Sequence, residues 1–237
     1  MNYTLFRNNK IYILRPKQLT DIVMKNKDIT CKNDRFICYN TKKETEYSVT
    51  EIYPILPEDV LKYKPKQTML IHETYEDYKN KMKTFKQDLS WVYNILEKKS
   101  ETDRIIYENN HFILLPDIKW SGLINDTQSL YCLAITKDKT LLSMRDLRNE
   151  HIELLENIKC NTFKIIKQKY NINESAIRAY FHYPPSFYHL HIHFNVVNNN
   201  ISGINVNHAY DLYNVIENLK IDGMYYEKIK LRIFDFQ

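Results

Sequence analysis

The sequence predicts an α+β protein with two parts, a small strand-rich domain over residues 1–85 and a larger domain over residues 86–237. Residues 1–70 contain short alternating stretches with little helical periodicity, and residues 72–98 carry one helical stripe. The rest of the chain mixes strands with two helical segments. Strands and helices without a regular strand–helix alternation are typical of the α+β class.

Composition is ordinary for a globular protein, with 43% hydrophobic and 27% charged residues. No apolar run approaches the roughly 20 residues of a membrane helix, and the N-terminus lacks the layout of a secretory signal. We therefore expect a cytoplasmic or nuclear protein without membrane association. The net charge of +5 is compatible with an anionic ligand. The four cysteines form no Cys-x-x-Cys pair and are expected to be free thiols.

The N-terminal part is predicted to consist mainly of short strands, with candidates at residues 10–14, 35–39 and 45–52. A long helix is predicted over residues 72–98, because apolar side chains recur there at intervals of three and four. The stripe consists of Tyr75, Tyr78, Met82, Phe85, Leu89, Val92 and Leu96. Trp91 lies off this stripe, so we expect its ring to face a ligand.

The middle of the chain is predicted to contain a hairpin, a third strand and a helix. Apolar runs at residues 103–107 and 111–115 predict the hairpin, and residues 130–136 predict the third strand. Asp146 is expected to cap a helix that runs to about residue 170.

A helix and a strand are predicted to close the chain. Asn207 is a candidate N-cap of the helix. The apolar face of that helix comprises Leu212, Val215, Ile216 and Leu219. Residues 227–233 alternate basic and apolar side chains, which predicts the final strand.

Four of the eight histidines fall within residues 181–194. His189, His191 and His193 alternate with apolar residues, and this period of two predicts a strand. The three imidazoles would then share one face, roughly 7 Å apart at each step.

The triplet is preceded by a candidate strand at residues 176–183 and by the turn signal Pro184-Pro185-Ser186. In an antiparallel hairpin, His182 would fold back beside the triplet. A cluster of four imidazoles has two chemical interpretations, a metal site and nucleophilic catalysis. The spacing alone does not separate them, although residues 176–197 contain no Asp, Glu or Cys that would complete a metal site.

The string from His189 to Phe194 resembles the histidine-triad signature, in which three histidines alternate with apolar residues. With three further blocks, the chain resembles one branch of that superfamily, the scavenger mRNA decapping enzymes. The blocks are residues 91–99 with Glu101 and 103–105, residues 115–120, and residues 142–147. They occur in the order of the family, and the resemblance covers about residues 91–197.

The resemblance implies that residues 86–237 form the histidine-triad catalytic domain, an antiparallel sheet with helices to one side. It also implies that the N-terminal domain, residues 1–85, is exchanged between the two subunits of a homodimer and acts in dimerisation and as a lid. Each site of such a dimer borrows residues from the partner.

The implied activity is hydrolysis of the triphosphate bridge in 7-methylguanosine cap dinucleotides, or in short capped RNA left after 3′-to-5′ mRNA decay. His191, the middle histidine, is expected to attack phosphorus and form a phosphohistidine intermediate. His189 and His193 would donate hydrogen bonds to phosphate oxygens and help to keep the His191 tautomer. His182 would stabilise the charge that develops near the scissile triphosphate bridge. No metal or cofactor is required on this account.

The resemblance also implies a pocket for the methylated base, which is a cation. Trp91 matches the stacking residue, for which cation–π attraction is on the order of 0.5–2 kcal/mol. Glu101 and Asp117 match carboxylates at the base, and Pro116 and Ile118 would form the walls.

Other positions are expected to contact phosphate or the nucleotide. Lys119 matches a phosphate-binding lysine, and Ser186 adds a polar group. Asn33 and Phe36 match a segment near the bound nucleotide, although Phe36 lacks the hydroxyl of a tyrosine.

The chain departs from the pattern of the family at two points, and two other functions remain as alternatives to cap hydrolysis by a nucleophilic histidine. Pro184 doubles the proline of the turn, and the N-terminal domain is short for the family. A metal-dependent hydrolase would use the histidines as ligands instead. A cap-binding module without catalysis would keep the base pocket but would not need an unhindered His191.

Overall fold

The computed structural model describes residues 3–7, 10–16, 27–32, 36–41, 47–52, 68–198 and 204–236. Two compact units are distinguished by their internal contacts, Met1–Thr68 with Phe236–Gln237, and Met69–Asp235. A domain boundary after residue 85 stays a prediction, because grouping by contacts does not test which parts fold independently.

The first unit contains a five-stranded antiparallel sheet with the order β1-β2-β5-β4-β3. Its strands are β1 Tyr3–Arg7, β2 Lys10–Pro16, β3 Lys27–Lys32, β4 Phe36–Thr41 and β5 Tyr47–Ile52. The three strands predicted from the sequence correspond to β2, β4 and β5. Alternating apolar and polar residues favour an extended chain there, since successive side chains point to opposite faces.

The second unit is built on a six-stranded antiparallel sheet with the order β12-β10-β11-β9-β8-β7. The strands are β7 Tyr107–Glu108, β8 Phe112–Pro116, β9 Tyr131–Thr136, β10 Ile177–His182, β11 His191–Val196 and β12 Ala209–Asp211. A separate two-stranded sheet pairs β6 Thr68–Glu73 with β13 Leu231–Phe236. Antiparallel sheets with segregated helices confirm the predicted α+β class.

The helices are α1 Tyr75–Thr84, α2 Ser90–Leu96, α3 Ile152–Tyr170, α4 Leu212–Ile221 and α5 Tyr225–Lys228. Residues of α3 and α4 pack against the sheet in one core with β8, β9, β10 and β11. None of the helices among the described residues combines the length and apolar character needed to cross a lipid bilayer.

The prediction of one continuous helix over residues 72–98 is wrong, because α1 and α2 are separate. Phe85 ends α1 in an extended conformation and packs its ring on Tyr188, with centroids 4.8 Å apart. The Gln87 amide donates to the carbonyl oxygen of Ser186 at 2.9 Å and accepts from the Tyr188 backbone N–H at 3.0 Å. These contacts with the turn of the histidine hairpin outweigh the local helical periodicity.

Two helix starts also differ from prediction. Asp146 does not cap α3: its Oδ2 accepts backbone N–H groups of Leu142 and Ser143 and closes a 3₁₀ turn, and α3 begins six residues later. Helix α4 is capped by Asp211, whose Oδ1 accepts from the Asn214 N–H at 3.1 Å, and not by Asn207.

Two predicted strands are also shifted. The strand expected over residues 103–107 begins instead with the end of a 3₁₀ turn, Thr102–Arg104, continues through two irregular residues, and pairs in the sheet only at Tyr107–Glu108. The final strand begins at Leu231, because residues 225–228 form the short helix α5.

Candidate functional site

The histidine segment forms the predicted antiparallel hairpin. Tyr180 of β10 lies opposite His193 of β11, and His182 ends β10. The His182 and His193 ring centroids are 4.2 Å apart, and those of His191 and His193 are 4.9 Å apart. His189 precedes β11, so two of the three triplet histidines, and not all three, lie on the strand.

The ring of His191 is held in one tautomer by the backbone. Its Nδ1 lies 2.7 Å from the carbonyl oxygen of His189, and a carbonyl can only accept, so Nδ1 carries the proton. Nε2 is then the lone-pair nitrogen, and among the described residues it has no hydrogen-bond partner. Burial, to 4% exposure, lowers the His191 pKa to about 4, so the ring is neutral at pH 7.

One face of the His191 ring is covered by Phe187. The two rings stack with centroids 3.9 Å apart and planes 10° apart, and Phe187 also meets Trp91 edge-to-face at 4.9 Å. Phe187 therefore contacts both the predicted nucleophile and the predicted base-stacking residue.

The ring of His189 is turned toward a neighbouring strand. Its Nε2 lies 2.7 Å from the carbonyl oxygen of Thr136, and its ring is 5.8 Å from that of Tyr93. Burial lowers the His189 pKa below its usual value. The contact of His189 with His191 comes from the backbone, and donation by its ring to phosphate stays a prediction.

A cavity of about 340 Å³ opens beside the hairpin. Four of its lining residues come from the hairpin, His182, Ser186, Phe187 and His193. The structure therefore places two of the four predicted catalytic histidines directly on the cavity. His191 lies behind Phe187, which also lines it.

Helix α2 and the turn after it form one wall. Val92 and Ile95 of α2 are buried, whereas Trp91 is 43% exposed; Trp91 and Ile95 both line the cavity. Glu101 adopts a left-handed backbone with φ of 52°, which is uncommon for a residue with a Cβ. Its carboxylate is paired with the guanidinium of Arg104.

The end of β8 forms the facing wall, with Pro116, Asp117, Ile118 and Lys119. Asp117 is buried, and its Oδ1 accepts the Lys119 backbone N–H at 2.9 Å. Ile118 is 86% exposed, and the Lys119 ammonium lies 5.5 Å from the ring centroid of Tyr131.

Gly122 allows the chain after this wall to turn back tightly. Its φ is +76°, and a Cβ there would come within 2.9 Å of Pro116 Cγ. A side chain at position 122 would therefore press on a residue that lines the cavity.

Arg104 is a site residue that sequence reasoning did not single out. It lines the cavity, pairs with Glu101, and donates from Nη2 to the carbonyl oxygen of Pro116 at 3.0 Å. It therefore joins the two walls. Its position three residues after Glu101 was the available signal, since residues that close together meet within one turn.

Tyr131 was also missed. Its hydroxyl lies 2.7 Å from Nδ1 of His193, and both side chains line the cavity. Nothing in the local sequence pairs two residues that far apart, because the contact depends on β9 lying beside β11.

Two predicted residues fall in the first unit. Asn33 lies outside the described residues, and Phe36 begins β4. Their expected place near the nucleotide stays a prediction.

Within the described parts of the chain, no group of three or more His, Cys, Asp or Glu side chains is arranged to hold a metal ion.

Comparison with known proteins identifies the family. A family model described as "Scavenger mRNA decapping enzyme C-term binding" matches residues 90–209. An m7GpppX diphosphatase of Ascaris suum is 41% identical over 211 residues, which is 84% of this chain and 69% of the relative.

Two further relatives, both named m7GpppX diphosphatase, have similar identity. That of Caenorhabditis elegans is 37% identical over 84% of this chain and 67% of its own length. That of Homo sapiens is 36% identical over 83% of this chain and 61% of its own length. The chain thus spans about two thirds of the length of these relatives. It belongs to the scavenger mRNA decapping enzyme family.

Proposed function

We propose that this chain hydrolyses the triphosphate bridge of 7-methylguanosine cap dinucleotides or short capped RNA and releases 7-methyl-GMP. One observation supports this most strongly: the His189 carbonyl oxygen holds the Nδ1 proton of His191, which leaves Nε2 as a neutral base in a ring stacked on Phe187, a residue of the cavity wall. The relatives that carry the name m7GpppX diphosphatase support the substrate class.

The proposed first step forms a covalent intermediate. Nε2 of His191 attacks the phosphorus bonded to 7-methylguanosine, and the bond from that phosphorus to the bridging oxygen breaks. The bridging oxygen leaves with the diphosphate-ended product and takes the electron pair of that bond. The new P–N bond makes the ring cationic, and the His189 carbonyl stabilises it through the Nδ1 proton.

The second step restores the enzyme. Water supplies hydroxide to phosphorus and its other proton passes to solvent, while the P–N electron pair returns to Nε2. A neutral nucleophile suits this reaction, because an anionic one would be repelled by the phosphate oxygens. Lys119, Ser186, His182 and His193 line the cavity where those oxygens would lie.

The cap base is proposed to enter between the two walls. Trp91 offers an exposed ring for a cationic purine, and Glu101 offers a carboxylate for the N–H groups of its edge. A methylated base carries the charge that both groups favour, whereas an unmethylated guanine does not.

Assembly and location are also proposals. We infer a homodimer in which the N-terminal domain of one subunit, residues 1–85, is exchanged with that of the other, as the sequence resemblance implies. We place the enzyme in the cytoplasm, the nucleus or both. Size-exclusion chromatography with light scattering measures the oligomeric state, and imaging of the tagged protein in cells measures its location.

A product assay tests the proposed function. The purified protein is incubated with methylated capped dinucleotide, with and without EDTA, and products are separated by chromatography. We expect 7-methyl-GMP and a nucleoside diphosphate at the same rate in both reactions. Loss of activity with EDTA, restored by a metal, would favour a metal-dependent hydrolase. Binding without any product would favour a cap-binding module.

A base quench tests the intermediate, because a phosphohistidine survives in alkali. The peptide that contains His191 is examined by mass spectrometry after brief reaction with the dinucleotide. We expect it to carry a 7-methylguanylyl group, which is 7-methyl-GMP less one water, with one water added where alkali has opened the methylated imidazole ring. Attachment to another residue would reassign the nucleophile.

A further inference from the structure

We propose that Tyr131 is a positioning residue that sets the tautomer of His193, so that the Nε2–H of His193 donates to a phosphate oxygen in the cavity. The inference rests on the proposed function for its consequence in catalysis. Its structural basis is the 2.7 Å contact between the Tyr131 hydroxyl and Nδ1 of His193, which is buried.

The sheet places this tyrosine where it can act. Tyr131 of β9 lies opposite Asn195 of β11, and Leu133 lies opposite His193. Tyr131 and His193 are therefore diagonal neighbours on one face, within reach of a long side chain. Tyr131 is 1% exposed, so water does not compete for its hydroxyl.

The direction of the hydrogen bond between Tyr131 and Nδ1 of His193 follows from the group that the other ring nitrogen, Nε2, would contact. A neutral imidazole carries one N–H. Nε2 of His193 is buried and has no hydrogen-bond partner among the described residues, and His193 as a residue is part of the cavity lining. A lone pair at Nε2 would repel an incoming phosphate oxygen, whereas an N–H would bind it. The phenol therefore donates to Nδ1, and the ring proton lies on Nε2.

Both groups are neutral in the range where the enzyme would work. The pKa of His193 is lowered well below its usual value, mainly by burial. Repulsion by nearby groups that can be positively charged lowers it further; these are His191, His182, Lys119 and His208. Burial raises the pKa of the Tyr131 phenol. A tautomer, and not a charge, thus decides which nitrogen donates.

The two strand histidines are then held in opposite tautomers. The His189 carbonyl can only accept, so it fixes the proton of His191 on Nδ1. The Tyr131 hydroxyl lies 2.7 Å from Nδ1 of His193, and with the phenol as the proposed donor the proton of His193 lies on Nε2. One ring presents a lone pair and the next presents an N–H, which is the division that attack and phosphate binding require.

The test compares Tyr131→Phe with Tyr226→Phe. Both variants lose one buried hydroxyl, but the Tyr226 hydroxyl bonds Asn218, outside the cavity. Ring nitrogens of the uniformly ¹⁵N-labelled, ligand-free protein are read by NMR, and the His193 signals are assigned by their loss in His193→Ala. We expect Nε2 to be protonated in the wild type and in Tyr226→Phe, and the proton to be shared between both nitrogens in Tyr131→Phe.

Kinetics supply the second readout. We expect kcat of Tyr131→Phe to fall at least about 10-fold and at most about 1,000-fold, the upper value being the cost of losing one preorganised donor. The affinity for the methylated base and the melting temperature should match those of Tyr226→Phe. An Nδ1 proton in the wild type, or the same kcat in both variants, would overturn the proposal.

The two proposals fail separately. Should the wild type release no 7-methyl-GMP, the proposed function is wrong, and the NMR result still decides the tautomer of His193. Should the wild type turn over while Tyr131→Phe keeps the wild-type ring spectrum, only the role of Tyr131 is wrong.

Discussion

The carbonyl oxygen of His189 lies 2.7 Å from Nδ1 of His191, two residues along the same chain. The geometry assigns the lone pair of His191 to Nε2 without any second side chain. It also explains how a histidine whose own ring bonds Thr136 still contributes to the site. The backbone just before β11, and not the neighbouring imidazole, orients the proposed nucleophile.

Activity should persist at acidic pH, because the pKa of His191 is lowered to about 4 by burial. The ring stays neutral, and so nucleophilic, until the pH falls close to that value. We expect the acid limb of kcat/KM to lie well below pH 6.5, the value for a solvated histidine. The pH profile of the hydrolysis rate measures this. A limb at pH 6.5 would contradict the assigned burial.

Stability should fall as the pH is lowered through the same window. The unfolded chain binds a proton at His191 near pH 6.5 and the folded chain only near pH 4, so the unfolded state takes up more protons between these values. This one group should cost about 2 kcal/mol of unfolding free energy between pH 7 and pH 5. Urea denaturation at both values measures the loss.

A matched pair of variants isolates this contribution. His191→Ala should lose less stability than the wild type on going from pH 7 to pH 5, because the buried ring is gone. His111→Ala, which removes an exposed ring, should lose as much as the wild type. The same pH dependence in all three proteins would mean that His191 is not the source.

Trp91 should discriminate methylated from unmethylated cap. Trp91→Ala removes the exposed ring and the cation–π attraction, on the order of 0.5–2 kcal/mol, or about 2-fold to 30-fold in Kd. We expect that loss for the methylated dinucleotide and a smaller one for the unmethylated form, with Trp91→Phe between. Calorimetric titration with both ligands measures it, and equal losses would remove Trp91 as the reader of the methyl group.

Arg104 should support the carboxylate that reads the base. The guanidinium joins Glu101 to the Pro116 carbonyl, a geometry that the single ammonium of lysine does not reproduce. We expect Arg104→Lys to raise Kd for methylated cap by about 10-fold to 100-fold, because a hydrogen bond to a charged group contributes roughly 1.5–3 kcal/mol. Lys220→Gln, a charge lost on helix α4, should leave Kd unchanged. A similar Kd in Arg104→Lys and wild type would show that Glu101 needs no support.

Arg145 should be important for stability. It is 0% exposed, bonds Glu73, and donates to the carbonyl oxygens of Tyr226 and Ile229. Arg145→Met leaves the buried Glu73 carboxylate without its cation, with the Tyr183 hydroxyl still donating to it, so the unfolding free energy should fall by about 3–5 kcal/mol. Lys220→Met breaks exposed ion pairs, which contribute little to stability, so its unfolding free energy should stay close to that of the wild type. Comparable losses in urea denaturation would argue against a structural role for this pair.

The histidine hairpin could be predicted from sequence because its signals are local. A period of two, a proline turn and apolar partners fix both strands and bring His182 beside His193. The position of Trp91 off the helical stripe was also readable, since it depends on the geometry of a single helix.

The remaining features depend on contacts between distant parts of the chain. The break between α1 and α2 follows from Gln87 bonding a turn one hundred residues away, which periodicity does not encode. The Tyr131 contact requires the order of strands in the sheet. The departure of His189 from β11 follows from the bond between its ring and Thr136, on the adjacent strand.

The rate of cap hydrolysis by His191→Ala tests the central claim most directly. With the attacking nitrogen gone, we expect turnover to fall by on the order of 1,000-fold or more, as for other removed nucleophiles. Kd for the methylated dinucleotide should change by only a few-fold, and His111→Ala should keep wild-type values. A His191→Ala variant that hydrolyses the cap at near wild-type rate would contradict the account.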